Sequence, residues 1–139
     1  MKQTYVLGFV FSDENSVVLI KKEKPDWQRG FLNGVGGKLY SSELPVCGMV
    51  REYHEEAGVW TTEDQWKPFC ELENSEFCIY CFMMKDQRVF DNSMTMESEQ
   101  IIKLTREMLH SDEHPMLPNI NWLIHLALDP MPKYSIINY

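Results

Sequence analysis

Glu52, Glu55 and Glu56 stand beside Arg51 in the run REYHEEAG, three carboxylates and one guanidinium in close succession. On a helix over residues 44–57 each residue turns about 100° from the last. Met49, Tyr53, Val46, Ala57 and Val50 then share one arc, able to pack on a core. The three glutamates fall in the opposite arc, with Arg51 at its edge and Gly48 leaving a gap the size of a side chain. Like charges one turn apart, Glu52 and Glu56, cost a few tenths of a kcal/mol even in water. Such a wall calls for a positive partner. A hard divalent cation such as Mg²⁺ suits it, because Mg²⁺ takes oxygen ligands and is held by a few carboxylates plus substrate phosphates. Taken alone, the same run also fits the solvated face of an ordinary surface helix, so the spacing around it decides.

That spacing runs Gly37, five residues, Glu43, seven residues, Arg51-Glu52, an apolar position, one residue, Glu55-Glu56, one residue, then Gly58 and the apolar Val59. A chance match to every position in one register is below about one in 10⁸ at typical residue usage. The string resembles the box of the Nudix hydrolase family, with Tyr53 an aromatic where the family usually has an aliphatic residue. The resemblance implies a Nudix fold of α/β (α+β) class, a mixed β-sheet sandwiched between helices. It also implies hydrolysis of a nucleoside diphosphate linked to another group, water attacking a phosphorus of the pyrophosphate. Positioning and charge neutralisation carry such a reaction. The implied metal ligands are the Gly36 carbonyl, Glu52, Glu55 and Glu56, holding Mg²⁺ with Mn²⁺ as a substitute and lowering the pKa of the attacking water. A further glutamate would come from a later loop, Glu97 or Glu99, with Glu99 preferred. Arg51 would fork onto Glu43 and brace the loop on the helix. Glu52, Glu55, Glu56, Arg51 and Glu43 are thus the implied catalytic set. Close carboxylates titrate as a coupled set, so no single one is assigned as base.

Outside the box, FLNGVGGKL and MLPNINWLIHLAL are similar to the MutT-type branch, which acts on oxidised purine nucleoside triphosphates. By that likeness Asn33 contacts a base edge and Lys38 belongs to the shared N-G-x-G-G-K string. Leu117 stands where a stacking Trp is usual, and Asn119 and Ile120 stand where two acids are usual. Asn33, Lys38, Leu117 and Asn119 are therefore the substrate-binding candidates. The departures remove a stacking plane and the partners that read an oxidised purine. The expected reaction is Mg²⁺-dependent hydrolysis of a nucleoside triphosphate to a monophosphate and pyrophosphate. The alternatives are another nucleoside diphosphate derivative (ADP-ribose, a dinucleoside polyphosphate or a nucleotide sugar) and a non-catalytic nucleotide-binding module. Trp27, Phe31 and Tyr5 either line a base slot or pack, and Trp122 reads as core.

The elements that must hold these residues follow from periodicity and turn chemistry. Residues 4–11 and 17–22 read as a strand hairpin, and 24–30 as a polar loop. Asn33-Gly34 would be a hairpin turn on dipeptide preference. The resemblance instead makes 31–39 a strand leading into the box. Pro45 suits the first turn of the box helix and Gly58 its C-terminal cap. Strands are expected at 66–72 and 76–84, the second fraying at Val89-Phe90, followed by an acidic loop at 91–99. A short strand at 101–104, a turn of helix at 106–109 capped by Thr105, a loop at 110–118 and a helix at 119–128 complete the main body. The tail YSIINY reads as an edge strand.

At 139 residues the chain reads as one domain over 1–139, long enough to bury a core. A net charge of −8 and a pI near 4.9 argue against a nucleic-acid polymer as partner. They leave room for a small nucleotide that arrives as its metal complex, the cation cancelling the repulsion. No membrane-length apolar run and no signal-peptide pattern is present, so a cytoplasmic location, as monomer or homodimer, is expected. Cys78 and Cys81 form C-x-x-C but lie in a strand-like run, which points them to opposite faces and makes them core thiols, not a shared metal site.

Overall fold

The run TYVLGFVF can be buried on both sides, and it forms the strand on which the sheet is built. In the computed structural model, which describes residues 2–131 and 134–139, β1 (Gln3–Phe11) has both faces covered from Val6 onward. It runs parallel to β6 (Phe77–Lys85) along its whole length and meets β2 (Val17–Lys21) at Phe11 and Val17. β5 (Lys67–Glu73) pairs antiparallel with β6, and β8 (Ser135–Asn138) extends the sheet in parallel beyond β5. On the other side β7 (Gln100–Leu104) pairs with β2.

Two apolar layers cover this mixed sheet. Phe9, Phe11, Leu19, Phe69 and Cys81 pack beneath α3 (Ile120–Leu128) through Leu123 and Ile124. Val6, Val10, Val18, Trp66 and Phe82 pack beneath α1 (Pro45–Ala57) through Met49 and Tyr53. The sheet is therefore sandwiched between helices, as expected. Among the described residues no helix is long and apolar enough to cross a membrane.

Four local expectations change. Residues 31–39 are two strands, not one: β3 (Leu32–Asn33) pairs with β2, and β4 (Val35–Lys38) pairs with β1. The partner switches at Gly34, where an added Cβ would lie 2.9 Å from Leu7 Cδ1. Val89 and Phe90 belong to a helix, α2 (Gln87–Asn92), because the Asp86 carboxylate accepts the Val89 N–H at 3.0 Å and caps its first turn. The turn after β7 falls at Met108–His110, with the Thr105 hydroxyl accepting from Met108 N–H at 3.4 Å. Trp122 is not core. It sits on the outer side of α3 with 48% of its surface exposed, while Ile120, Leu123 and Ile124 take the buried positions. Cys78 and Cys81 lie on opposite faces, Cys81 across from Cys70 under α3 and Cys78 beside the Glu71 carboxylate.

Candidate active site

The box helix forms for local reasons. Pro45 occupies its first turn, where the missing N–H costs nothing, and Gly58 ends it in the left-handed region at φ 78°. Gly58 N–H then donates to the His54 carbonyl at 3.0 Å. Met49, Tyr53 and Ala57 are buried against the sheet. The carboxylate arc does not simply face water, because β4 passes alongside it. Glu52 is 9% exposed and lies against Gly37, where a Cβ would stand 2.6 Å from its carboxylate. Glu56 is half-buried and accepts the Gly36 N–H at 3.2 Å, while Glu55 remains exposed.

Arg51 ties this wall together. Its Nε and Nη2 each donate to Glu43 at 2.9 Å, a two-pronged pair that fixes orientation as well as charge. Nη1 reaches Glu52 at 3.0 Å and Glu55 at 3.3 Å, and Nη2 also reaches the Lys38 carbonyl at 3.2 Å. The Tyr40 ring covers the guanidinium at 3.7 Å. Hydrogen bonding to Arg51 holds Glu43 below the usual carboxylate range, and the same bond keeps Arg51 firmly protonated. Burial acts the other way on the wall: it raises Glu52, and with help from the Glu52 charge it pushes Glu56 up to about 8.

Two cavities flank these groups. The smaller, about 300 Å³, is lined by Glu56, Glu97, Ser98, Glu99, Lys22, Lys24 and Ile20. Glu99 accepts Lys22 Nζ at 3.1 Å and the backbone N–H groups of Glu23 at 2.7 Å and Lys24 at 3.2 Å. Burial works to raise its pKa, but these donors hold it below the ordinary value. The larger cavity, about 560 Å³, brings Asn33, Gly36 and Gly37 together with Leu117, Pro118 and Asn119. The loop before α3 is placed there by backbone bonds, Leu32 N–H to Pro115 O at 2.8 Å and Leu117 N–H to Leu32 O at 3.0 Å. Lys22 lines both cavities.

Of the sequence candidates, Asn33, Leu117 and Asn119 line the larger cavity, as do Tyr5 and Trp27. Lys38 does not: its side chain is exposed and only its carbonyl joins the Arg51 network. Phe31 also lies outside the lining of both cavities. Sequence reasoning missed Gln28, Leu72, Phe77, Ile79 and Tyr139, all part of the larger lining. The last four come from β5, β6 and the chain end, and no local pattern marks them as neighbours of the box.

The donor set suits a hard divalent cation. It is all oxygen, it projects from two adjoining elements, and two of its carboxylates carry the cost of burial near one another. Arg51 occupies one Glu52 oxygen, and among the described residues no hydrogen-bond donor reaches the other.

A family model described as "NUDIX domain" matches residues 1–122. No curated protein sequence matches the chain. Among solved structures, the mutator MutT protein from Bacillus halodurans is similar with a TM-score of 0.73 at 17% identity, covering 99% of this chain and 90% of that one. A Nudix-family hydrolase from Clostridium perfringens gives 0.67 at 17% identity, covering 94% and 99%. The NUDIX domain of Shewanella oneidensis NrtR, crystallised with ADP ribose, gives 0.69 at 14% identity, covering 91% and 86%. At these identities the structures speak to the fold. With the family match spanning most of the chain and the box assembled on α1 and β4, this protein belongs to the Nudix hydrolases, pyrophosphohydrolases that act on nucleoside diphosphate-linked substrates.

Proposed function

We propose that the chain, as one domain over residues 1–139, hydrolyses a nucleoside triphosphate to a monophosphate and pyrophosphate with Mg²⁺, Mn²⁺ substituting. The observation that carries this reading is the continuity of the two regions. Gly36 and Gly37 line the larger, mostly apolar cavity and also abut Glu56 and Glu52. A base held in that cavity would extend its phosphates along β4 toward the carboxylate wall.

In this reading Glu52, Glu55 and Glu56, with the Gly36 carbonyl, hold the cation, and Glu99 borders the same region from the far side. When bound, the cation would neutralise phosphate charge and acidify the attacking water. Arg51 is a positioning residue. It fixes Glu52 and Glu55 and is itself fixed by Glu43 and by the Tyr40 ring. Lys22, lying between the cavities, supplies a positive charge where phosphate must pass.

A second reading, cleavage of an ADP-ribose-type substrate, draws support from the ADP ribose in the Shewanella domain. One panel separates the two. Canonical and oxidised nucleoside triphosphates, ADP-ribose and dinucleoside polyphosphates are offered with Mg²⁺, and pyrophosphate and phosphate are read separately. Pyrophosphate from triphosphates supports the first reading, and turnover confined to ADP-ribose or a dinucleoside polyphosphate replaces it. Glu56→Gln is expected to lower kcat at least about a hundredfold while the fold is kept. Near-normal turnover in a folded Glu56→Gln protein would remove the metal-wall assignment.

A further inference from the structure

We propose that Glu99 is a positioning residue: its carboxylate clasps the loop between β2 and β3 and so holds the wall that Pro25, Trp27 and Gln28 give the larger cavity, instead of serving as a metal ligand. The inference rests on the nucleotide-hydrolase reading above and assigns a role within that same site. Residues 23–29 contain no buried side chain. Hydrogen bonds inside the loop, such as Gln28 N–H to the Pro25 carbonyl at 2.9 Å and Gly30 N–H to the Lys22 carbonyl at 2.9 Å, give it a shape but no tether. Among the described residues, the hydrogen bonds that join 23–29 to the fold beyond this loop all end on Glu99. Its Oε2 accepts both the Glu23 and the Lys24 N–H, and its Oε1 accepts from Lys22 Nζ.

Glu99 stands on firm ground from which to hold that loop. It precedes β7, where Gln100 pairs with Lys21. The segment leading to it is pinned to the end of α1, Met94 N–H donating to the Ala57 carbonyl at 3.0 Å. One side chain thus links the far end of the box helix to the wall of the larger cavity. Both of its oxygens already carry donors, two of them backbone N–H groups fixed in direction, so a cation would have to displace them. Without the clasp the loop samples other arrangements, and apparent affinity falls by the fraction that stays competent to bind. Such a loss belongs to binding. It raises KM and spares kcat, which depends on the carboxylate wall.

The test measures kcat, KM and the Mg²⁺ requirement of the full chain with dGTP, dATP, dCTP and dTTP, and amide hydrogen exchange over residues 22–31 without substrate. Glu99→Ala is expected to raise KM about tenfold or more, to keep kcat within about threefold, and to speed exchange in that segment. Because one oxygen serves both backbone N–H groups, the amide oxygen of Glu99→Gln can take its place. That variant should bring KM and exchange back close to the wild-type values. A metal ligand would behave otherwise: Glu99→Gln would then lose about a hundredfold in kcat and need more Mg²⁺, and that result overturns the inference. Unchanged exchange in Glu99→Ala overturns it too, as does faster exchange with KM unmoved. If Glu99→Ala does not fold, Glu99→Asp, one methylene shorter, should show the same rise in KM and faster exchange, and wild-type values there reject the clasp. If no triphosphate is turned over, the hydrolytic reading fails separately and exchange alone decides. Faster exchange in Glu99→Ala that Glu99→Gln restores supports the clasp, and any other pattern rejects it.

Discussion

Gly37 makes room for a charge. A methyl group there would press on the Glu52 carboxylate, which is the end of a flexible side chain but is buried and held by Arg51. Gly37→Ala should therefore shift Glu52 at little cost to the fold, with stability falling by less than about 1 kcal/mol. Turnover should fall about ten- to a hundredfold, since a displacement near 1 Å at a positioned group costs that order. Thermal melts beside kcat for this one variant check both halves. Glu43 carries a pH signature. Its pKa is lowered from 4.5 in the folded state, chiefly by the hydrogen bond from Arg51, so its stabilising contribution is complete above that value and is lost as the pH falls through the folded pKa. Urea midpoints measured from pH 6 to pH 3, an acid range of about three units, should drop more steeply for the wild type than for Glu43→Gln. Parallel curves would remove the fork as a source of stability.

Helix α1 is held from two sides, and the second side explains its one departure from the family string. Tyr53 O–H lies 2.6 Å from Ser93 Oγ, and Ser93 Oγ donates to the Val89 carbonyl at 2.7 Å, so the phenol is the donor of the first bond. The aromatic residue thereby links α1 to the end of α2, and its ring meets Trp66 edge-on at 5.4 Å. Tyr53→Phe should cost about 1 kcal/mol, the net worth of one such bond. It should leave kcat unchanged, because the ring points away from the carboxylates. Loss of activity without loss of stability would contradict this division. α1 could be read from its sequence because its arcs, its Pro45 and its Gly58 are all local features. α2 could not: Val89 and Phe90 look strand-like, and only the Asp86 cap reveals the turn. Trp122 reads as core in the sequence because NINWLIHLAL is apolar nearly all round, so its period does not say which side meets the sheet.

At the scale of the molecule, the carboxylate wall was legible and the pocket was only half so. Glu43, Arg51 and the three glutamates lie within one short stretch whose spacing is itself the signal. Asn33, Leu117 and Asn119 came from likeness to relatives, and they do line the larger cavity. Leu72, Phe77, Ile79 and Tyr139 reach it only because β5, β6 and the end of the chain are assembled around β1. Lys38 went astray because its string places its backbone, not its ammonium group, in the network.

The pairing of β1 with β6 has a temporal consequence. Gln3 faces Phe77 and Phe11 faces Lys85, so the first strand made is completed only by one from the far half of the chain. The loop that joins them must close before these contacts offer any return, which favours late and concerted assembly. During synthesis the whole box leaves the ribosome before β6 does. The sheet face on which Met49 and Tyr53 rest is then unfinished, since Phe82 and Met84 are still to come. A nascent chain with the box outside the ribosome and residues 77–85 still inside it would hold every box glutamate yet lack the platform that seats them, and catalytic competence would arrive late in translation, well after the box itself.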